Sequence, residues 1–135
     1  MILIDTSYLV ALAMPNDALH SLALAWSKKL SGPFVTTDYI LCELFNSLSL
    51  PAHRPRAHTM WSIIQKTPLI EVVHVTSDLL HEAIGLHAER IDKSWSLTDC
   101  VSFCLMQQRR LTEALTYDRH FDQAGFTALL RQSPR

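Results

Sequence analysis

"MILID", residues 1–5, is four apolar residues closed by an acid. Its hydrophobicity is continuous rather than alternating, which marks a strand covered on both faces, as in a parallel sheet between helices. Working outward, "FVTT" (34–37), the β-branched "IEVVHV" (70–75) and "EALTYD" (113–118) read as further strands, with a weaker one in "FTALL" (126–130). Helical patterns fill the gaps. Residues 17–30 place Leu22, Ala25, Trp26 and Leu30 at helical spacing before "SGP" stops the run. Residues 38–50 end at Pro51, and 53–66, 77–90 and 97–110 complete the set. Alternating strands and helices predict an α/β fold, a parallel β-sheet sandwiched by helices in three layers, as a single domain over residues 1–135.

Composition narrows the function. Of 135 residues, 48% are apolar and 19% charged, which suits one ordinary globular core. The net charge of −1 supplies no global basic field, so a nucleic-acid partner must be held by local patches or through metal ions. Cys42, Cys100 and Cys104 sit among apolar neighbours with no Cys-x-x-Cys pair. They are expected to be buried free thiols, neither a disulfide framework nor a zinc ribbon. No apolar run approaches the roughly 20 residues that span a bilayer. The N-terminus lacks the basic region and cleavage site of a signal peptide, so the expected location is cytoplasmic with no membrane partner.

Chemistry is expected where strands end, because open parallel sheets bind ligands beyond their carboxyl edge. Asp5 closes the first strand, as a turn residue or a site residue. Asp118 closes a later one, although "YDRH" also suits a plain turn. Asp99 lies in "WSLTDCVSF" (95–103), where Ser96 and Asp99 have the spacing of a capping box, and helices in such folds begin on the same edge. Glu43 is ambiguous. It falls off the stripe of Ile40, Leu41, Leu44, Phe45 and Leu48, beside Tyr39 and Ser47, as a solvated helix glutamate would.

Two carboxylates about 4 Å apart repel by about 1 kcal/mol in water and about 4 kcal/mol at an effective dielectric near 20. Three or four gathered acids therefore need protons or a cation. Oxygen donors without a Cys or a recognisable His pair favour a hard ion, Mg2+ or Mn2+, and that chemistry points to phosphate-ester hydrolysis. The seven histidines show no paired spacing suggestive of zinc.

Together, "MILIDTSYLVAL", the Glu of "FVTTDYILCELFNSL", "DKSWSLTDCVSF" and "ALTYDRHFDQAGF" resemble a PIN domain, most closely the VapC-type toxin ribonucleases of bacterial toxin–antitoxin pairs. The resemblance implies that Asp5, Glu43, Asp99 and Asp118 cluster around Mg2+ or Mn2+, with Asp5 and Asp99 as the most direct ligands. Thr6, Ser7, Thr98 and Thr116 match hydroxyl positions that support the acids. It also implies hydrolysis of RNA to a 5′-phosphate and a 3′-hydroxyl, a homodimer, and a small cognate antitoxin lying in an apolar groove. Leu44, Leu48, Met60 and Trp61 are candidates for that groove, although core placement suits Leu44 better. Arg54 and Arg56 in "PAHRPRAH", and Arg119 with His120, are candidate phosphate-holding patches, with solvated surface as the plainer reading. Asp92 and Asp122 read as surface acids, and Tyr117 as a residue able to narrow the mouth of the site. A PIN-like module that only binds partners would lack one of the acids, and none is missing. A DNA nuclease or a metal-dependent phosphatase remains an alternative on chemistry alone.

Overall fold

The computed structural model describes residues 1–134. Five parallel strands form one sheet: β1 (Ile2–Ile4), β2 (Phe34–Thr37), β3 (Ile70–Val73), β4 (Glu113–Leu115) and β5 (Thr127–Ala128), ordered β3-β2-β1-β4-β5. The helices are α1 (Thr6–Ala13), α2 (His20–Lys29), α3 (Asp38–Ser47), α4 (Arg54–Lys66), α5 (Ser77–Glu89), α6 (Leu97–Arg109) and α7 (Arg119–Gln123). Helix α1 packs on α2, α3 and α4, whereas α6 packs on α5 and α7, so the sheet is covered on both faces. This is the three-layer α/β architecture that the continuous apolar strands imply. Leu3, Val35, Ala114 and Leu115 are completely buried at its centre.

Several elements depart from the expected boundaries, each for a local reason. Helix α1 follows β1 at once and was not anticipated. Its sequence "TSYLVALA" is apolar nearly all round, with Tyr8, Leu9 and Ala11 buried and Val10, Leu12 and Ala13 half-buried, so no stripe of period 3.6 stands out. Helix α2 starts at His20 rather than at residue 17, because Asp17 closes a turn by accepting the Leu19 N–H at 2.8 Å. Strand β3 ends at Val73, and the Val75 N–H turns away to the Asp38 carboxylate. Strand β4 stops at Leu115, and β5 is two residues long before a 3-10 turn at Leu129–Arg131.

Two expectations about side chains need correction. Cys100 and Cys104 are buried, but Cys42 is exposed, since it lies beside Glu43 and off the buried Ile40–Leu41–Leu44 face of α3. Leu44, Leu48 and Met60 belong to the core and cannot line a groove. Trp61 alone of that group reaches the surface, where it borders a depression with Leu41, Cys42 and Phe45.

An aromatic cluster fixes the elements nearest the carboxyl edge of the sheet. Phe103 of α6 meets Trp95 and Phe121 edge to face, each at a centroid separation of 4.9 Å. The Trp95 indole N–H donates to Gln123 Oε1 at 3.0 Å, tying the segment before α6 to α7. Phe121 is completely buried. Replacing it with Ala removes the anchor of α7 and is expected to lower stability by about 3–5 kcal/mol in urea unfolding. A loss under about 1 kcal/mol would show that α7 is held otherwise.

Candidate metal centre

The order in which strands are added reverses at β1: β2 and β3 lie on one side, β4 and β5 on the other. Ligands in such sheets bind at that switch point, beyond the strand ends. Asp5 leaves β1 there and occupies the N-cap position of α1, and its backbone N–H is held by the Leu115 carbonyl at 3.1 Å. Its side chain makes no cap bond. Instead the carboxylate, 7% exposed, accepts the Thr116 hydroxyl at 2.7 Å. The Thr116 oxygen in turn accepts the Asp118 N–H at 3.0 Å, so one hydroxyl joins the ends of β1 and β4. Ser7 Oγ lies 3.3 Å from that oxygen and accepts the Tyr117 N–H at 3.0 Å.

Asp99 enters from α6. Ser96 and Asp99 form a reciprocal capping box: the Asp99 N–H donates to Ser96 Oγ at 3.0 Å, and the Ser96 N–H to Asp99 Oδ2 at 3.1 Å. The cap and the site are therefore one structure, because the box fixes the rotamer of a carboxylate that also lines the cleft. Asp118 caps α7 by accepting the His120 N–H at 2.9 Å. Glu43, one turn into α3, accepts the Thr6 hydroxyl at 2.6 Å. All four acids, with Thr6, Ser7 and His120, border one cleft of about 630 Å³.

The remaining expected residues fall outside it. Thr98, half-buried at the second position of α6, does not line the cleft. Arg54 and Arg56 donate to the backbone carbonyls of Ser49 (2.6 Å) and Ala13 (3.2 Å), away from the cleft lining. Arg119 is exposed at the first position of α7. Tyr117 does not line the cleft, and the Arg131 guanidinium sits over its ring at 4.4 Å. Asp92 pairs with Arg90 on the surface, and Asp122 lies 3.8 Å from Arg131.

His120, named only as a patch residue, points into the acids. Its Nδ1 lies 2.9 Å from Asp99 Oδ2 and 3.3 Å from Asp118 Oδ1. The signal was Asp-x-His at a helix start, where a cap at Asp118 turns the second residue back toward it. Asp17 and Asn46 also border the cleft, and no spacing rule pointed to either.

Electrostatically, burial of the acids outweighs the donors that serve them. Burial pushes the Asp5 carboxyl up to about 7, and the Asp99 and Glu43 charges add to the shift while the Thr116 hydroxyl opposes it. Burial also raises Glu43 and Asp99, helped by Asp118 in both cases. Donor atoms of Asp99, Asp118 and His120 lie within 4.8 Å of one another. Clustered carboxylates held in fixed rotamers and short of positive charge fit a hard divalent cation.

A PIN domain model matches residues 2–127, and the chain belongs to the PIN domain family. Within it, the chain is similar to the 23S rRNA-specific endonuclease VapC20 of Mycobacterium tuberculosis, at 31% identity over 128 residues covering 93% of this chain and 95% of the relative. The crystal structure of that toxin, described as cleaving the Sarcin-Ricin loop, superposes with a TM-score of 0.87 at 26% identity, covering 94% of this chain and 97% of that one. FitAcB from Neisseria gonorrhoeae shares the fold at a TM-score of 0.69 and 18% identity, with 95% of each chain covered. A toxin–antitoxin complex from Klebsiella pneumoniae does so at 0.62 and 15%, with 88% of each chain covered.

The raised acids give the metal-free protein a definite pH dependence. Asp5 ionises near 3.8 in the unfolded chain and near 7 in the folded one, so between these values the folded state binds the extra proton. Stability falls as pH rises through that window, by up to about 4 kcal/mol for the full shift of Asp5. In EDTA the urea midpoint should therefore drop from pH 5 to pH 7, and Asp5→Asn should flatten the slope. A midpoint that climbs over this range would refute the burial argument.

Proposed function

We propose that the protein is a single-domain, Mg2+- or Mn2+-dependent endoribonuclease and the toxin of a toxin–antitoxin pair. The observation that carries this reading is the convergence of Asp5, Glu43, Asp99 and Asp118, from four separate elements, on one cleft at the switch point of the sheet. Similarity over nearly the whole chain to a toxin named as an rRNA endonuclease supports RNA as the substrate.

Asp5 and Asp99 would hold the ion, and Glu43 and Asp118 would complete the cluster. A divalent ion bound there would supply a water of lowered pKa and positive charge for the phosphate and its leaving oxygen. The chain supplies the rest. The Thr116 hydroxyl keeps the Asp5 carboxylate aimed at the cleft, the Thr6 hydroxyl does the same for Glu43, and the Ser96 cap does so for Asp99. Arg119, exposed beside Asp118, meets a phosphate next to the scissile one. Arg54 and Arg56 extend a basic rim at the start of α4 for more distant phosphates. Single-stranded or looped RNA suits an open cleft that reads shape and unstacked bases.

A small antitoxin silences the enzyme by covering the cleft, and a basic side chain from it would offset the acids. The toxin works in the cytoplasm as a homodimer. Among the described residues no helix is long and apolar enough to cross a membrane.

Partner-free protein is expected to cut labelled RNA with Mn2+ or Mg2+, and EDTA to abolish cutting. Asp5→Asn and Asp99→Asn should each lower kcat/KM by roughly 100-fold or more, about 3 kcal/mol of transition-state stabilisation. Thr116→Val should lower it by roughly 10-fold by loosening Asp5. Cleavage that survives EDTA, or DNA cut as fast as RNA, would overturn the assignment.

A further inference from the structure

The cleft is not lined by oxygen donors alone. His120 Nδ1 stands 2.9 Å from Asp99 Oδ2 and 3.3 Å from Asp118 Oδ1. Neighbouring donors around one octahedral ion, each about 2.1 Å from it, are about 3 Å apart. Both nitrogen–oxygen separations are therefore close to the spacing of neighbouring ligands on one cation, and donor atoms of all three residues lie within 4.8 Å of one another. Two constraints hold the backbone that carries the ring. The His120 backbone N–H donates to Asp118 Oδ1 at 2.9 Å, which is the cap of α7, and the following residue, Phe121, is locked in the core. The imidazole is 29% exposed, so it reaches the cleft without being free to swing into solvent.

We propose that His120 Nδ1 is a ligand of the ion held between Asp99 and Asp118, and that this nitrogen makes the site prefer transition-metal ions such as Mn2+ to Mg2+. The inference rests on the reading of the cleft as a metal site and goes further by naming a ligand outside the acidic set and the selectivity it confers. Mg2+ is oxygen-seeking and gains little from an imidazole in place of a water. First-row transition ions bind nitrogen donors more strongly, in the order that begins at Mn2+. A four-acid site treats the two ions much alike, whereas a mixed nitrogen and oxygen set separates them.

An alternative role is orientation alone, in which His120 donates a hydrogen bond to Asp99 and never meets the ion. The two roles separate experimentally. Pulsed EPR of the full chain loaded with Mn2+ should show the nitrogen modulation of a coordinated imidazole, and His120→Asn should abolish it. Asn keeps a donor for Asp99 but carries no imidazole. By calorimetry, the wild-type preference for Mn2+ over Mg2+ should fall roughly 10-fold in His120→Asn, with Mg2+ affinity changed less than about 3-fold. Bound Mn2+ without nitrogen coupling, or equal weakening of both ions, would overturn the ligand role and leave the nuclease reading standing. No binding of either ion at millimolar concentration would overturn that reading together with this one.

Discussion

Burial of carboxylates, with their mutual repulsion added to it, governs much of the carboxyl edge of this sheet. Two ionised acids about 4 Å apart at an effective dielectric near 20 repel by about 4 kcal/mol, which is a large fraction of a domain's stability. Asp5 sits nearly dry at the end of β1, and Asp99 and Glu43 are also partly withdrawn from water. The neighbourhood answers with hydroxyls and backbone N–H groups. Thr116 serves Asp5, Thr6 serves Glu43, Ser96 serves Asp99, and the His120 N–H serves Asp118. Each holds a carboxylate in one direction without neutralising it. A protein that orients several acids so firmly, and leaves them charged or expensively protonated, is built to receive positive charge.

The fold makes that convergence possible by simple means. In the central strands β1, β2 and β4, three or four residues suffice because they are largely buried, and each ends at the same edge. Helices run back across the sheet, so α6 starts at the edge where β1 and β4 stop. The Trp95–Phe103–Phe121 cluster then clamps the entry to α6 against α7. Two of the four acids, Asp99 and Asp118, lie within four residues of that cluster, so local packing and site geometry are one problem.

Much of this was legible in the sequence. A continuous apolar run announces a covered strand, and an acid closing it lands at the edge where ligands bind. The Ser96–Asp99 box was visible as spacing, and its reciprocal hydrogen bonds are present. Glu43 was not legible from periodicity, because a glutamate off the apolar stripe looks the same whether it meets solvent or a cleft. Family resemblance singled it out, and the Thr6 contact joins it to the other acids. Helix α1 was hidden by being apolar all round, and α7 by its brevity, since five residues carry no period. His120 was hidden for the same reason: sequence patterns for metal ligands assume two donors on one element, whereas this ring meets Asp99 only through tertiary structure. Cys42 was misplaced because apolar neighbours in sequence say nothing about which side of a helix faces water.

Membership of the PIN family and the close superposition on VapC20 agree with the fold built from the residues upward. The central claim is that negative oxygens from the two ends and the middle of the chain share one cation. Crystals grown with Mn2+ and measured at the manganese absorption edge test it most directly. Bound Mn2+ should give an anomalous peak in the cleft, within bonding distance of Asp99 and of at least one other of the four acids. A map with no peak in the cleft at saturating Mn2+, or with peaks only on exposed acids such as Asp92, would contradict it.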